Sequence, residues 1–347
     1  MEAFNNSILD VIGNTPIVRL NSVANEVDSD IYVKLEYLNP GGSIKDKIGL
    51  HMCKKALERG DIKPGGTIIE GTSGNTGVGI AMFCALHDLK AVFVMADKQS
   101  QEKIDCLKSY GATVIVCPTD VKPEDPRSYY SVSAMLPEII PNSLYLNQYA
   151  NLDNSESHYL MTGPEIFEQT KGEFDVFMTA VGTGGTISGT GKYLKEKMPN
   201  VKVVGIDCVG SIIDEYHRTG KMGKPHNYVL EGIGEDFIPG NINFDVIDEF
   251  VVVGDEESFH MTRDLLTKEG IYTGGSAGAA IVGAIRYAKK LETPKKILVI
   301  LHDSGNRYSS KIFNDSWMID MGYLPKDHSN PEEKRIYTAL KDAGVEL

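Results

Sequence analysis

The stretch Phe174 to Lys197, FDVFMTAVGTGGTISGTGKYLKEK, decides the fold. Its opening FDVFMTA is a short apolar run with the length and composition of a buried strand, and its close, ISGTGKYLKEK, reads as a helix. Between them lies VGTGGT (Val181 to Thr186), a glycine-rich turn. A strand feeding such a turn and then a helix is the unit of parallel α/β layers. Consecutive backbone N–H groups at the start of a helix converge on an anion, so Gly182, Thr183, Gly184, Gly185 and Thr186 are expected to form a phosphate cup. Two familiar phosphate motifs do not fit. The dinucleotide fingerprint needs glycine where Ile187 stands, and the Walker loop needs glycine instead of Thr186 five residues before Gly191-Lys192. The plainer reading of the same glycines is tight packing, so the neighbouring segments decide.

The unit recurs on both sides. GTIIEG, KAVFVM and TVIVC begin a first series at residue 66, and VKVVGID, EFVVVGD and KKILVIL continue a second after Tyr149. Two α/β lobes joined near residue 150 are expected. A chain of 347 residues is long enough for two cores, and the cleft between them is the natural site. Polar, proline-bearing Pro118 to Pro126 and Lys221 to Tyr228 read as surface loops, and the charged end as a tail with a short helix from Pro331. Thirty-five basic against 48 acidic side chains leave a net charge of -13, which disfavours nucleic acid and anionic lipid as partners. No segment has the length of a membrane span, and MEAFNNSILD has no leader pattern, so a cytoplasmic location is expected. Five dispersed cysteines with no CxxC pair, and eight histidines with none at i, i+4, give no disulfide framework and no metal site.

Two further segments carry chemistry. TSGNTG (Thr72 to Gly77) follows the strand IIEG and precedes the apolar VGIAMFCAL, crowding hydroxyls, an amide and free N–H groups in a way that suits a small carboxylate. A plain N-cap by Ser73 or Asn75 is the simpler use. In NPGGSIKDK (Asn39 to Lys47), Lys45 opens a helix, where the positive helix end helps to lower a lysine pKa.

Taken in order, GGSIKDK, EGTSGNTG, VGTGGT, EGIGEDFIP and TGGSAG resemble the cysteine synthase and cystathionine β-synthase family of fold-type II pyridoxal-phosphate (PLP) enzymes, over roughly residues 8 to 324. The resemblance implies two three-layer α/β lobes: a small mobile domain of residues 41–150, a large cofactor domain of 1–40 plus 151–330, and a tail of 331–347. It implies that Lys45 carries PLP as the Schiff-base lysine, that Gly182 to Thr186 hold its phosphate, that Asn75 meets its hydroxyl and that Ser276 meets its ring nitrogen. Thr72, Ser73, Thr76 and Gln148 are implied to grip the substrate carboxylate, and a homodimer is implied. A neutral hydroxyl at the ring nitrogen weakens the electron sink and favours β-elimination over transamination. VLEGIGEDFIP and NDSWMIDMGYL look closer to cystathionine β-synthase than to the O-acetylserine-using branch. Heme and adenosylmethionine control are not expected, since no heme-binding extension precedes the catalytic motifs and few residues follow Leu324. Gly71 and HDSGNRY (His302 to Tyr308) match neither branch.

The expected reaction is β-replacement on serine or cysteine with a thiol, releasing hydrogen sulfide when cysteine is the donor. Lys45 would serve as the α-proton base, and Glu231, Glu235 and Asp236, crowding one glycine-containing loop, would serve as acid or base, unless that loop is simply solvated. Within the family the alternatives are a cysteine β-lyase that adds water to give serine plus hydrogen sulfide, and an O-acetylserine-dependent cysteine synthase. More remote are a serine hydrolase on the G-x-S-x-G pattern Gly274 to Gly278, with Ser276, Asp303 and His328 in hydrolase order, and a non-catalytic binding relative, which the intact Lys45 argues against.

Overall fold

The structure, a computed structural model, describes residues 4–122 and 124–345. The first three residues of the large domain, Pro123 of the 118–126 loop and the last two residues of the tail therefore lie outside the described residues. The chain divides into two compact units, one ending at Arg307 and one beginning at Tyr308.

In the first unit the strands are β1 (Ile17–Arg19), β2 (Asp30–Leu35), β3 (Thr67–Gly71), β4 (Lys90–Ala96), β5 (Thr113–Cys117), β6 (Ser143–Tyr145), β7 (Val176–Ala180), β8 (Lys202–Cys208), β9 (Glu249–Val253) and β10 (Lys296–Leu301). Its helices are α1 (Lys45–Arg59), α2 (Asn75–Leu86), α3 (Gln101–Ser109), α4 (Tyr129–Ile139), α5 (Asp153–Ser157), α6 (Gly163–Thr170), α7 (Gly185–Lys197), α8 (Ile213–Thr219), α9 (Asp255–Glu269) and α10 (Gly275–Ala288). One sheet has the order β5-β4-β3-β6 and is parallel throughout. The other has the order β1-β2-β10-β7-β8-β9 and is parallel except for β1 at its edge.

Both sheets are covered on both faces, as buried parallel sheets must be. In the four-stranded sheet Ile68, Phe93 and Met95 pack with Ile48 and Met52 of α1 and Ile80 of α2, while their neighbours Ile69, Val92 and Val94 pack with Leu136 of α4. That alternation is the period of two of a pleated strand. In the larger sheet Phe177, Val203 and Leu298 pack with Ile187 and Leu194 of α7. Ile206, on the opposite face of β8, lies against Gly283 of α10.

Strands begin earlier than the expected start at residue 66. β1 has three residues and β2 carries a fully buried lysine, Lys34, which interrupts its apolar pattern. Lys34 is tolerated because Glu36 and Glu165 lie beside its ammonium at 3.8 and 3.1 Å. β6, three half-buried residues, has no readable pattern either. All five cysteines are free thiols, four of them buried. Among the described residues no helix is long and apolar enough to cross a membrane.

The second unit contains α11 (Asp315–Asp320) and α12 (Pro331–Asp342). α12 realises the helix expected from Pro331. Asn330 caps it by accepting from the Glu332 and Glu333 N–H groups, proline occupies the first position where no N–H is needed, and none of its residues is buried.

Candidate active site

At the expected cup, α7 begins at Gly185 behind Gly184, which adopts the left-handed conformation (φ 82°), and no side chain caps the helix. Its first N–H groups are therefore left for a ligand. Packing and anion binding turn out to be compatible uses of these glycines. A Cβ on Gly182 would stand 2.9 Å from the Gly232 carbonyl oxygen, and one on Gly184 or Gly185 would run into Ile242 or the Asn154 side chain.

α2 also begins uncapped, because its N-cap is Gly74 (φ 123°), so neither Ser73 nor Asn75 closes the helix. Thr72 instead accepts from the Gly74 N–H at 2.9 Å. Thr76 donates its hydroxyl to Gln148 Oε1 at 2.7 Å, and Gln148 Nε2 donates to the Gly71 carbonyl at 2.9 Å. Ser73 faces the same pocket. The four residues assigned to the carboxylate are thus gathered at one bare helix start. Asn75 lines the pocket, but its amide is engaged at both ends. Nδ2 donates to Asp303 Oδ2 at 2.8 Å and Oδ1 accepts from Arg307.

Lys45 is the first residue of α1, half-buried, and lines the pocket, its ammonium having no hydrogen bond or ion pair among the described residues. Burial pushes its amine down to about 8, against the opposing pull of Glu235 and Asp303. Loss of hydration is thus what depresses it. Ser276, second residue of α10, is buried in the pocket wall and its hydroxyl has no hydrogen-bond partner among the described residues.

The three acids on the loop separate. Glu235 faces Lys45's pocket, and burial, reinforced by Asp236, pushes its carboxyl up to about 8. Glu231 reaches the same pocket but forms an ion pair with Lys103. Asp236 is exposed and borders an adjoining outer chamber of about 350 Å³. Tyr129, Tyr130, Tyr149 and Tyr228 line that chamber, and both polar loops reach it, through Pro118, Thr119, Val121 and the run Pro225 to Tyr228.

His302, Asp303, Asn154 and His158 are missing from the sequence reading of the site. The first two follow β10, at the carboxyl end of a parallel strand, where open α/β sheets bind ligands. That position was the available signal in the unmatched HDSGNRY. The strand that a nucleophile elbow needs does not lead into Ser276 among the described residues, and the His328 ring sits 3.6 Å from Asp315 within the C-terminal unit.

PLP needs an amine for its aldehyde, an anion site for its phosphate and a partner for its ring nitrogen. One pocket contains an unpaired, partly neutral lysine, a bare helix start on α7 and an unpaired hydroxyl at the start of α10. The residues fit the group.

Comparison with known proteins agrees. Residues 8–303 match the family model described as pyridoxal-phosphate dependent enzyme. The chain is 41% identical to cystathionine β-synthase of Dictyostelium discoideum over 340 residues, 97% of this chain and 68% of that one. It is 42% identical to a cysteine synthase of Staphylococcus aureus over 307 residues, 88% of this chain and 95% of that one. Of animal cystathionine β-synthases it spans less than two thirds, 63% in Apis mellifera and 58% in Mus musculus. Among solved structures, a hydrogen sulfide-producing enzyme from Fusobacterium nucleatum superimposes with a TM-score of 0.81 at 36% identity, over 88% of this chain and 100% of that one. A strand–cup–helix unit, a lysine with a depressed pKa and these likenesses converge: the chain belongs to the pyridoxal-phosphate dependent enzyme family.

Proposed function

We propose that this protein catalyses PLP-dependent β-replacement on serine or cysteine with a thiol, forming cystathionine from homocysteine and releasing hydrogen sulfide when cysteine is the donor. The observation that carries the proposal is Glu235, a half-buried residue whose carboxyl is pushed up to about 8 by desolvation and faces the pocket of Lys45. A carboxyl still protonated near neutrality can hand its proton to hydroxide or thiolate, leaving groups that depart poorly without one. Acetate needs no such help.

Gly182 to Thr186 would hold the cofactor phosphate, Ser276 its ring nitrogen and Lys45 its aldehyde carbon. PLP, when bound, supplies an electron sink for the charge that develops at Cα. The bare start of α2, with Ser73, Thr76 and Gln148, binds the substrate carboxylate. Lys45, neutral once displaced, takes the proton from Cα, and Glu235 gives its proton to the leaving β-group. Glu235 then takes the thiol proton as sulfur adds at Cβ, and Lys45 returns its proton to Cα. Asn75, held between Asp303 and Arg307, would meet the cofactor hydroxyl with the second hydrogen of its amide nitrogen. Residues 41–150 would act as the mobile domain that closes over the substrate, and the protein would work as a cytoplasmic homodimer.

Water in place of the thiol would convert cysteine to serine and hydrogen sulfide. Likeness to the hydrogen sulfide-producing Fusobacterium enzyme is compatible with this second reading as with the first, since both release hydrogen sulfide from cysteine. Incubation with serine, cysteine or O-acetylserine, each with and without homocysteine, followed by product analysis, tests the assignment. Cystathionine from serine or cysteine is expected. Serine plus sulfide from cysteine alone would move the assignment to the second reading, and turnover confined to O-acetylserine would overturn both.

A further inference from the structure

The two threonines of the cup are themselves held from behind. Between α5 and α6 the chain makes a single π-turn, His158–Thr162, the kind of turn that recurs at functional sites. Asn154 of α5 and His158, the first residue of the turn, are both fully buried and reach Thr183 and Thr186 respectively. Asn154 Nδ2 donates to the Gln148 carbonyl at 2.8 Å and to Thr183 Oγ1 at 3.0 Å. A carbonyl can only accept, so the amide's orientation is determined and Thr183 must accept too. The Thr183 hydroxyl hydrogen is left over, and no acceptor among the described residues takes it.

A parallel deduction holds for Thr186. The Lys47 ammonium donates to Glu36 Oε1 and Glu165 Oε2, each at 2.9 Å, and to Thr162 Oγ1 at 3.3 Å. Against its burial, those two carboxylates keep the Lys47 pKa above the ordinary lysine value, so it has no lone pair to offer. Thr162 therefore accepts from Lys47, and its own hydrogen goes to His158 Nδ1 at 2.9 Å. Burial, with Lys45 and Lys47 nearby, pushes the His158 pKa well down, so the ring is neutral. With Nδ1 accepting, the ring proton is on Nε2 and is donated to Thr186 Oγ1 at 3.2 Å. The Thr186 hydrogen is again left over.

We infer that Asn154 and His158 are positioning residues, which by donating to Thr183 and Thr186 from behind turn both hydroxyl hydrogens into the cup and make it a site of donors only, matched to a phosphate ester. The buried Lys47 ion pairs fix the direction of the whole chain of hydrogen bonds. This inference rests on the cup assignment in the proposed function.

The test uses the full chain and compares dissociation constants for PLP and for pyridoxal, which lacks the phosphate. His158→Phe is expected to weaken PLP about tenfold, the cost of one misdirected bond to a charged group, and to leave pyridoxal unchanged. His158→Gln, with an amide nitrogen near the position of Nε2, should recover most of the loss. The His158→Phe effect should vanish when Thr186→Val is already present. Asn154→Leu should behave likewise against Thr183→Val. In the unmodified protein, nitrogen-15 NMR of the His158 ring should show the Nε2–H tautomer, a readout independent of how any variant folds. If Thr183→Val and Thr186→Val leave the preference for PLP over pyridoxal untouched, the cup assignment fails and this inference with it. If those variants reduce the preference but His158→Phe weakens both ligands equally, or the ring carries its proton on Nδ1, the inference alone is overturned.

Discussion

Lys45 and Glu235 are chemically complementary because burial moves their pKa values in opposite directions. Each reaches about 8, one from above and one from below its ordinary value. A base and an acid are thereby available in one pocket near neutral pH. Lys45→Ala is expected to abolish turnover and to remove the cofactor's visible absorbance from the purified protein, since attachment point and base disappear together. An active, colourless variant would disprove the role. Glu235→Gln should slow reactions of serine by about 10²–10⁴, the usual contribution of a general acid, and should barely change turnover of O-acetylserine, whose leaving group needs no proton. Steady-state rates with the two substrates make the comparison. Glu231→Ala and Asp236→Ala should spare this difference, because Glu231 is ion-paired with Lys103 and Asp236 is exposed. Equal losses with both substrates would remove Glu235 from leaving-group departure.

Among the elements, α2, α7 and α10 all begin at glycines, with no side-chain cap, around one pocket. Gly184→Asp or Gly185→Asp should expel PLP, since the new side chain meets Ile242 or Asn154 and brings a negative charge to the anion site. Unchanged cofactor content in both variants would remove this helix start from the site. Ser276→Ala should retain PLP but cut turnover, and an unchanged rate would remove Ser276 from the ring nitrogen. The starts of α2 and α7 were legible in the sequence because each is a short run of adjacent residues directly following a readable strand, whereas the start of α10 was named only through the family resemblance. Residues that act across the chain were not. Asn154 and Thr183 are 29 residues apart, His158 and Thr186 are 28 apart, and the π-turn that His158 opens leaves no periodic trace, while β2 was hidden by a lysine whose partners are 2 and 131 residues away. Glu235 could be named as one of three acids, but which of them faces the pocket depends on the turn of a loop between β8 and β9.

The whole molecule buries several carboxyls at once, and this gives its stability a definite pH dependence. Glu70, with no exposed surface, is pushed up to about 8 by burial, even though the Gln148 and Asn147 backbone N–H groups favour its charged form. Glu235 also reaches about 8, and Asp46, behind the turn that precedes α1, about 7. For a carboxyl raised on folding, the folded state holds more protons than the unfolded state between the two pKa values. Its stabilising contribution is complete below the unfolded value, 4.5 for Glu70, and is lost as pH rises through the folded value of about 8. Two groups of opposite kind set the limits of the window. His302 is depressed to about 3, so it adds stability as pH rises towards 6.5, and Lys45 is depressed to about 8, so it adds stability only above that. Between pH 6.5 and 8 the carboxyls dominate, and the melting temperature of the cofactor-free protein should fall across that interval. A displacement of one pKa unit is worth about 1.4 kcal/mol, enough to move the midpoint of a large domain by about 2–4 °C. Glu70→Gln retains an oxygen to accept the Gln148 N–H, now at 3.2 Å from Glu70 Oε1, and cannot ionise. Its melting temperature should therefore fall less between pH 6.5 and 8 than that of the unmodified protein. Scanning calorimetry at half-unit pH steps measures both curves, and parallel curves would mean that Glu70 does not titrate in this range.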